Sequence, residues 1–469
     1  GFAGMKRSPL LFLTVAVCAA GFAANRVTPV VTSSSVGVIR VGEESSCVAG
    51  ADARLAFAPP HVAASSPIVI HGVQPYALDQ PRVPACLQPS EGEPPLSVHV
   101  EELGSRVFAI DAFLDTGSSR VTLSQNDSRA LGVLLTGEVV EDLGIGGKEA
   151  FEVAASCVLR AASSSANSMD VRQFMFAVHC SPQVRRRDPS MMQGMPFGLR
   201  DLFAGHMSDL DMGENNLDEM LRTSINIIGM PFIERHVVVL DPRPVVSALN
   251  ALANESGGEG NDPLDQLLEE METSGGQQLG RMKVDLLTPA QSYPQPRISI
   301  PLKLVDMDPG NLPVTKAHVP FIPGVSLQHG GARCQGDFLL DTGGGISLLS
   351  PSLARQLGLD LSRAPLTAQV QGVGAGHGGL KGFWIDALTI TSQTGPSVTF
   401  TKAPMFVADI AGIAGSMGMN FFGPSVFMDL GQLDMSNPTA ILGSLRPGPL
   451  PFRRIIIDTP RKRLGLDPV

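Results

Sequence analysis

Two patterns of apolar spacing organise the chain. Near its start, Leu10 to Ala20 is a continuous apolar run without a charge. That is shorter than the ~20 residues a membrane-spanning helix needs. The run follows Met5, Lys6 and Arg7 and ends on the small residues Ala19, Ala20 and Gly21. This is the layout of a secretory signal peptide, so residues 1–24 are read as one, with a short membrane anchor as the alternative. Further on, the pattern becomes alternation. Leu96-Ser97-Val98-His99-Val100 and the stretch from Val107 to Leu114 read as strands. Val237–Asp241 and Ile455–Asp458 close the two halves as apolar strands ending on an Asp. Both acids are expected to be solvated, and Arg461–Leu466 is the expected hairpin partner of the second strand.

Between these patterns lie segments without periodicity. Phe22 to Gly42 is rich in Ser, Thr and Val, carries Arg26 and Arg40, and has no acid before Glu43. That is a transit-peptide composition. Phe22, just past the presumed cleavage point, resembles the bipartite plastid presequences of algae with complex plastids. Plastid import and simple secretion are both consistent with the leader. Residues 44–95 are rich in Pro, Ala and Ser, and 25–95 as a whole is read as a largely disordered transit or pro-segment. The resulting order is a first lobe at 96–246, an acidic Gly-rich linker at 247–296 and a second lobe at 297–469. Residues 183–222 read as an insertion. Its Asp209, Asp211 and Gly213 do not meet the spacing of a calcium loop.

Composition sharpens the class. Hydrophobic residues make up 43% and charged residues 17%, with 50 glycines in 469 residues. Such a chain favours turns and strands over long solvated helices. The net charge of −10 argues against a phosphate-binding surface. The best basic cluster, Arg185-Arg186-Arg187, reads as a solvated loop, or secondarily as a protease-sensitive site. Without Cys18, five cysteines remain and none has CxxC spacing, so no zinc site or dense disulfide framework is implied. A Cys157–Cys180 bridge is compatible with the sequence but not demanded by it.

The strongest signal is an internal repeat. Phe113-Leu114-Asp115-Thr116-Gly117-Ser118 recurs as Leu339-Leu340-Asp341-Thr342-Gly343-Gly344. Leu131-Gly132 follows the first Asp by 16 positions, and Leu357-Gly358 follows the second by the same 16. A Gly-rich turn comes next in each half, at Gly144-Ile145-Gly146-Gly147 and at Gly372-Val373-Gly374. An apolar pair with Gly then recurs as Ile227-Ile228-Gly229 and Ser416-Met417-Gly418, with Ile441-Leu442-Gly443 as a competing match. A repeat at this many offsets marks a duplicated unit.

These motifs resemble the aspartic proteases, and most closely the retropepsin-like branch, over about 98–245 and 297–468. The resemblance implies a mainly β, bilobal acid-protease fold with pseudo-two-fold symmetry. It implies an aspartic endopeptidase acting on an extended peptide or protein substrate, as a monomer that works like a pseudo-dimer, without metal or cofactor. Asp115 and Asp341 would form the catalytic dyad, sharing one proton and activating a water. Thr116, Gly117, Thr342 and Gly343 would hold the dyad, and the Ser118 hydroxyl would support Asp115. Gly344 offers no hydroxyl in the second loop. Gly144, Ile145, Gly146, Gly147, Gly372, Val373 and Gly374 would form flaps over the substrate. Neither Tyr76 nor Tyr293 lies near a flap, unlike the pepsin-like pattern. The asymmetry at Gly344 and the 183–222 insertion leave a catalytically inactive peptide-binding scaffold as the alternative.

Overall fold

A computed structural model describes residues 66–100, 105–144, 147–168, 170–188, 224–247, 281–307, 311–370, 377–410, 412–428 and 445–469. The signal-peptide and leader assignments, the acidic stretch 248–280 and most of the 183–222 insertion lie outside them. The described chain is mainly β. Its first large sheet runs, in spatial order, through Phe176–Cys180, Cys157–Ala161, Arg82–Gln88, Ile110–Leu114, Asn226–Ile228, Val121–Leu123, Gln183–Arg185, Gly147–Ala154 and Leu135–Gly144. Alternation explains how Ile110–Leu114 sits: Ile110, Ala112 and Leu114 are buried while Asp111 is exposed.

In the second large sheet, six strands close into a barrel. They are Val398–Val407, Leu348–Leu349, Gly415–Met417, Ala332–Leu340, Val319–His329 and His377–Ile390, which returns to pair with Val398–Val407. Phe338, Phe400 and Phe421 are buried in its core, with Phe400 edge-on to Phe421 at 4.8 Å. The strand before each Asp-Thr-Gly has the same kind of neighbour. Ile110–Leu114 pairs in parallel with Asn226–Ile228, and Ala332–Leu340 in parallel with Gly415–Met417. The Ser416-Met417-Gly418 match therefore sits beside the second motif, while Ile441-Leu442-Gly443 lies outside the described residues.

Each Asp loop also leads into a short helix, Gln125–Ala130 or Pro351–Gln356. The Asp127 and Leu353 amides donate to the capping hydroxyls of Ser124 and Ser350. The recurring Leu-Gly ends each helix, with Gly132 and Gly358 at φ of 68° and 70°. That left-handed conformation is the reason for Gly at these two positions.

Several expectations need correction. Residues 66–95 are not a disordered pro-segment where they are described. Ile68–His71 pairs in parallel with Val398–Thr401, and Arg82–Gln88 lies between two strands of the first sheet. Val83, Ala85, Cys86 and Leu87 are buried there, so the core of the first sheet starts before residue 96. By contrast, Val98–Val100 and Ser105–Val107 form only a separate two-stranded ribbon. Lys283–Leu287, assigned to the linker, is a strand with Val284 and Leu286 inward. It joins a five-stranded sheet with Val237–Asp241, Phe452–Asp458, Arg463–Pro468 and Ile298–Pro301, which mixes both halves of the chain. The expected closing hairpin forms within that sheet.

Gln183–Arg185, assigned to the insertion, is a buried strand. Arg185 is not a solvated loop residue. Its Nη1 donates to both Glu149 carboxylate oxygens at 3.0 Å, while Arg186 and Arg187 are exposed. Asp458 is also not solvated but fully buried. It accepts from the Tyr293 hydroxyl and, at 3.0 Å each, from Arg461 Nη1 and Arg463 Nε. Glu149 offsets the desolvation of Arg185 from another strand, while Asp458 is offset by the nearby Arg461 and Arg463 together with the distant Tyr293.

Candidate active site

The two Asp loops meet between the large sheets. Asp115 N donates to Ile228 O at 3.1 Å and Asp341 N to Met417 O at 3.0 Å, so each loop hangs on the strand paired in parallel with its own. The threonines join the loops. Thr116 N donates to Thr342 Oγ1 and Thr342 N to Thr116 Oγ1, both at 3.0 Å. Thr116 Oγ1 donates to Leu340 O at 2.5 Å, and Thr342 Oγ1 to Leu114 O at 2.7 Å. Both threonines are buried, so water does not compete for these four bonds.

This clasp presses the carboxyl groups of Asp115 and Asp341 together. A Cβ on Gly117 would lie 2.7 Å from Asp341 Oδ1, and one on Gly343 would overlap the Asp115 carboxyl. Glycine is required here by close approach. The same holds for the Gly that ends each apolar pair. A Cβ on Gly229 would run into Arg120 O, and one on Gly418 into Ile346 O.

Burial pushes the Asp115 carboxyl above its ordinary range. Asp341 is pushed well above it, by burial first and then by the charge of Asp115. A hydrogen bond between the two carboxyls favours ionisation of Asp115 and protonation of Asp341. Backbone amides temper the burial: Gly117 N donates to Asp115 Oδ1 at 2.8 Å. The arrangement is two buried carboxyls hydrogen-bonded to each other and to surrounding backbone N–H donors.

The expected role of Ser118 is corrected. Its hydroxyl donates to Arg120 O at 3.0 Å instead of supporting Asp115. The Ser118 backbone N–H stabilises the Asp115 carboxylate, and the Gly344 backbone N–H does the same for Asp341. The missing hydroxyl at Gly344 therefore costs the second loop nothing that the first one uses.

Of the flap residues, Gly144 and Gly147 face each other at the end of the Leu135–Gly144 and Gly147–Ala154 hairpin, with Gly147 at φ 98°. Ile145, Gly146, Gly372, Val373 and Gly374 lie outside the described residues. The strands Leu366–Val370 and His377–Ile390 that flank the second turn are paired.

Three supports were not visible in the sequence. Ala77 N donates to Gly345 O at 2.7 Å and Ala317 N to Ser119 O at 2.9 Å, so a chain segment lies along each Asp loop. Gln80 Nε2 donates to Gly343 O, the carbonyl of the second Asp loop. Arg120 is buried, and its Nη1 donates to Gln183 Oε1 at 3.0 Å and Glu141 O at 3.2 Å, tying the first Asp loop to the strand Leu135–Gly144. The only sequence signal for Arg120 is a charge at the head of an apolar strand.

Residues 325–421 match the aspartyl protease family model. This span includes Asp341, Thr342 and Gly343. Among solved structures, a retropepsin-like aspartic protease from Rickettsia conorii is similar over 22% of this chain and 83% of its own, at 16% identity and a TM-score of 0.16. No curated protein matches the chain.

Proposed function

We propose that this chain is an aspartic endopeptidase whose dyad is Asp115 and Asp341. One observation carries the reading: two Asp-Thr-Gly loops, joined by reciprocal threonine bonds, bury two carboxyls against each other. The family match over 325–421 supports it. Two such carboxyls cannot both ionise readily, so the pair holds one proton. The ionised partner takes a proton from a water between them, and the protonated partner donates to the scissile carbonyl. The proton assignment belongs to the pair, because the two titrations are linked. Fixed N–H donors around the dyad remove the need to reorient dipoles as charge moves.

In this reading the two halves are pseudo-symmetric lobes. The equivalent parallel pairings beside each motif and the equivalent contacts of Met230 N with Ser118 O and Met419 N with Gly344 O, both 2.9 Å, support that view. The first lobe starts at Arg82 instead of residue 96. The substrate is an extended peptide, bound beneath the hairpin of Leu135–Gly144 with Gly147–Ala154 and the paired strands Leu366–Val370 and His377–Ile390. The leader directs the chain into the secretory pathway, with plastid import and simple secretion as the two alternative destinations. The test compares wild type with Asp115→Asn and Asp341→Asn on a denatured protein substrate, with and without pepstatin. Cleavage by wild type alone, blocked by pepstatin, is the expected result. Equal cleavage by all three would refute the dyad.

A further inference from the structure

We propose that Cys157 and Cys180 form a redox-active thiol pair, a site of reversible disulfide formation that ties the outermost strand of the first large sheet to its neighbour. The register carries the argument. Cys157 stands directly opposite Cys180 in the antiparallel pairing of Cys157–Ala161 with Phe176–Cys180. Opposed residues of such a pair have Cα atoms ~4.5–5.5 Å apart, and their side chains leave the same face. That spacing falls in the ~4.4–6.8 Å window a disulfide requires. Both sulfurs are thiols in this structure.

The other described thiols do not compete. Cys86 is opposite Arg160, so it shares the face of residues 158 and 160, away from Cys157. It is also fully buried, and burial pushes its thiol up to about 11. Cys334 belongs to the other large sheet.

The two partners differ in access. Cys157 is half-buried and Cys180 buried. A hydrogen bond with Cys180 lowers the Cys157 thiol, and the same contact raises Cys180. Cys157 is thus the attacking thiol and Cys180 the resolving one. With glutathione disulfide as oxidant, the Cys157 thiolate attacks one glutathione sulfur, forming a mixed disulfide and releasing one glutathione thiolate. Cys180 gives up its proton and attacks the Cys157 sulfur, expelling the second glutathione. Two protein thiols are oxidised to one disulfide, and one glutathione disulfide is reduced to two thiols that carry the two protons.

The bond would close the segment between the two cysteines into a loop. It would also brace Ser181, which exchanges bonds with Thr315: Ser181 N to Thr315 Oγ1 at 2.8 Å and Thr315 N to Ser181 O at 3.1 Å. Two residues on, Ala317 lies along the first Asp loop.

The test uses the full chain, reduced, freed of reductant and incubated with glutathione disulfide. It is then alkylated, digested without reductant and mapped by mass. The expected product is a linked Cys157–Cys180 peptide pair, two hydrogens lighter than the free peptides and abolished by dithiothreitol. Cys180→Ser is expected to retain glutathione on Cys157. Recovery of both cysteines alkylated, or of Cys157 joined to Cys47 or another cysteine, would overturn the proposal. The wild-type map decides this even if the variant does not fold.

Discussion

Replacing Thr342 with Val keeps the shape and β-branching of the side chain and removes only its hydroxyl. That hydroxyl donates to Leu114 O at 2.7 Å and accepts from Thr116 N at 3.0 Å. The Thr116 amide is then left buried without its acceptor, since Thr116 is 0% exposed. An orphaned buried donor costs about 1–3 kcal/mol and a lost net hydrogen bond about 1 kcal/mol, together roughly 2–4 kcal/mol. The reciprocal bonds through Thr116 Oγ1 remain, so the loops stay joined but by half the clasp. Equilibrium unfolding in urea, followed by circular dichroism, reads the effect. With a slope of roughly 3 kcal/mol/M for a chain of this size, the midpoint falls by on the order of 1 M. Thr116→Val should act similarly. The double variant should depart from the sum of the singles by about 0.5–3 kcal/mol, because the four bonds form one network. A midpoint shift below ~0.2 M, or strict additivity, would refute the clasp as an energetic unit. Peptide cleavage should fall with either single variant, since carboxyl positioning depends on the same bonds.

Other consequences are also measurable. Asp115 and Asp341 both have folded-state values raised by burial, so their contribution to stability is fully present below the ordinary carboxylate range and is lost as pH rises through the folded values. Asp341→Asn should therefore raise the melting temperature near neutral pH and change it little near pH 3, and an unchanged difference across pH would contradict this. Asp458 has the opposite sign: burial opposes ionisation, but Tyr293, Arg461 and Arg463 together hold it below its usual range. The stability it contributes is present above that range and lost on acidification. Asp458→Asn should cost ~1–3 kcal/mol at neutral pH, below the buried-pair figure because the arginines are partly exposed. A chain beginning at Leu96 should not fold to a cooperative state, because it lacks the strand at Arg82–Gln88 from the interior of the first sheet. Several buried apolar side chains at about 1.5–3 kcal/mol each rival the total stability of a domain. A sharp, native-like melting transition from that truncation would count against the strand's importance.

The Asp loops were legible because their requirements are local. A turn that packs its backbone against a neighbouring carboxyl admits only Gly, so Gly117 and Gly343 had to appear in the sequence. The helix-ending Gly132 and Gly358 mark equally local demands, as do the capping Ser124 and Ser350. The strand at Arg82–Gln88 was less legible. It follows a Pro- and Ala-rich stretch and contains Pro84, and composition averaged over 44–95 hid its apolar residues. Lys283–Leu287 was hidden in the same way by the acidic, Gly-rich residues before it.

The sequence by itself determined that the chain carries two copies of one Asp-bearing turn, each with its apolar strand, recurring Leu-Gly and later apolar pair with Gly. Those features depend on backbone conformation and near neighbours, which residue identity encodes directly. Only the tertiary structure decided that the two turns face each other through their threonines. It also decided that the Ser118 hydroxyl turns away, that Gln80 and Arg120 brace the loops, and that Asp458 is buried. These depend on partners far away in the chain, such as Gly343 for Gln80 and Tyr293 for Asp458. A buried polar group is stable only when such partners satisfy it, and the position of a partner is a property of the fold.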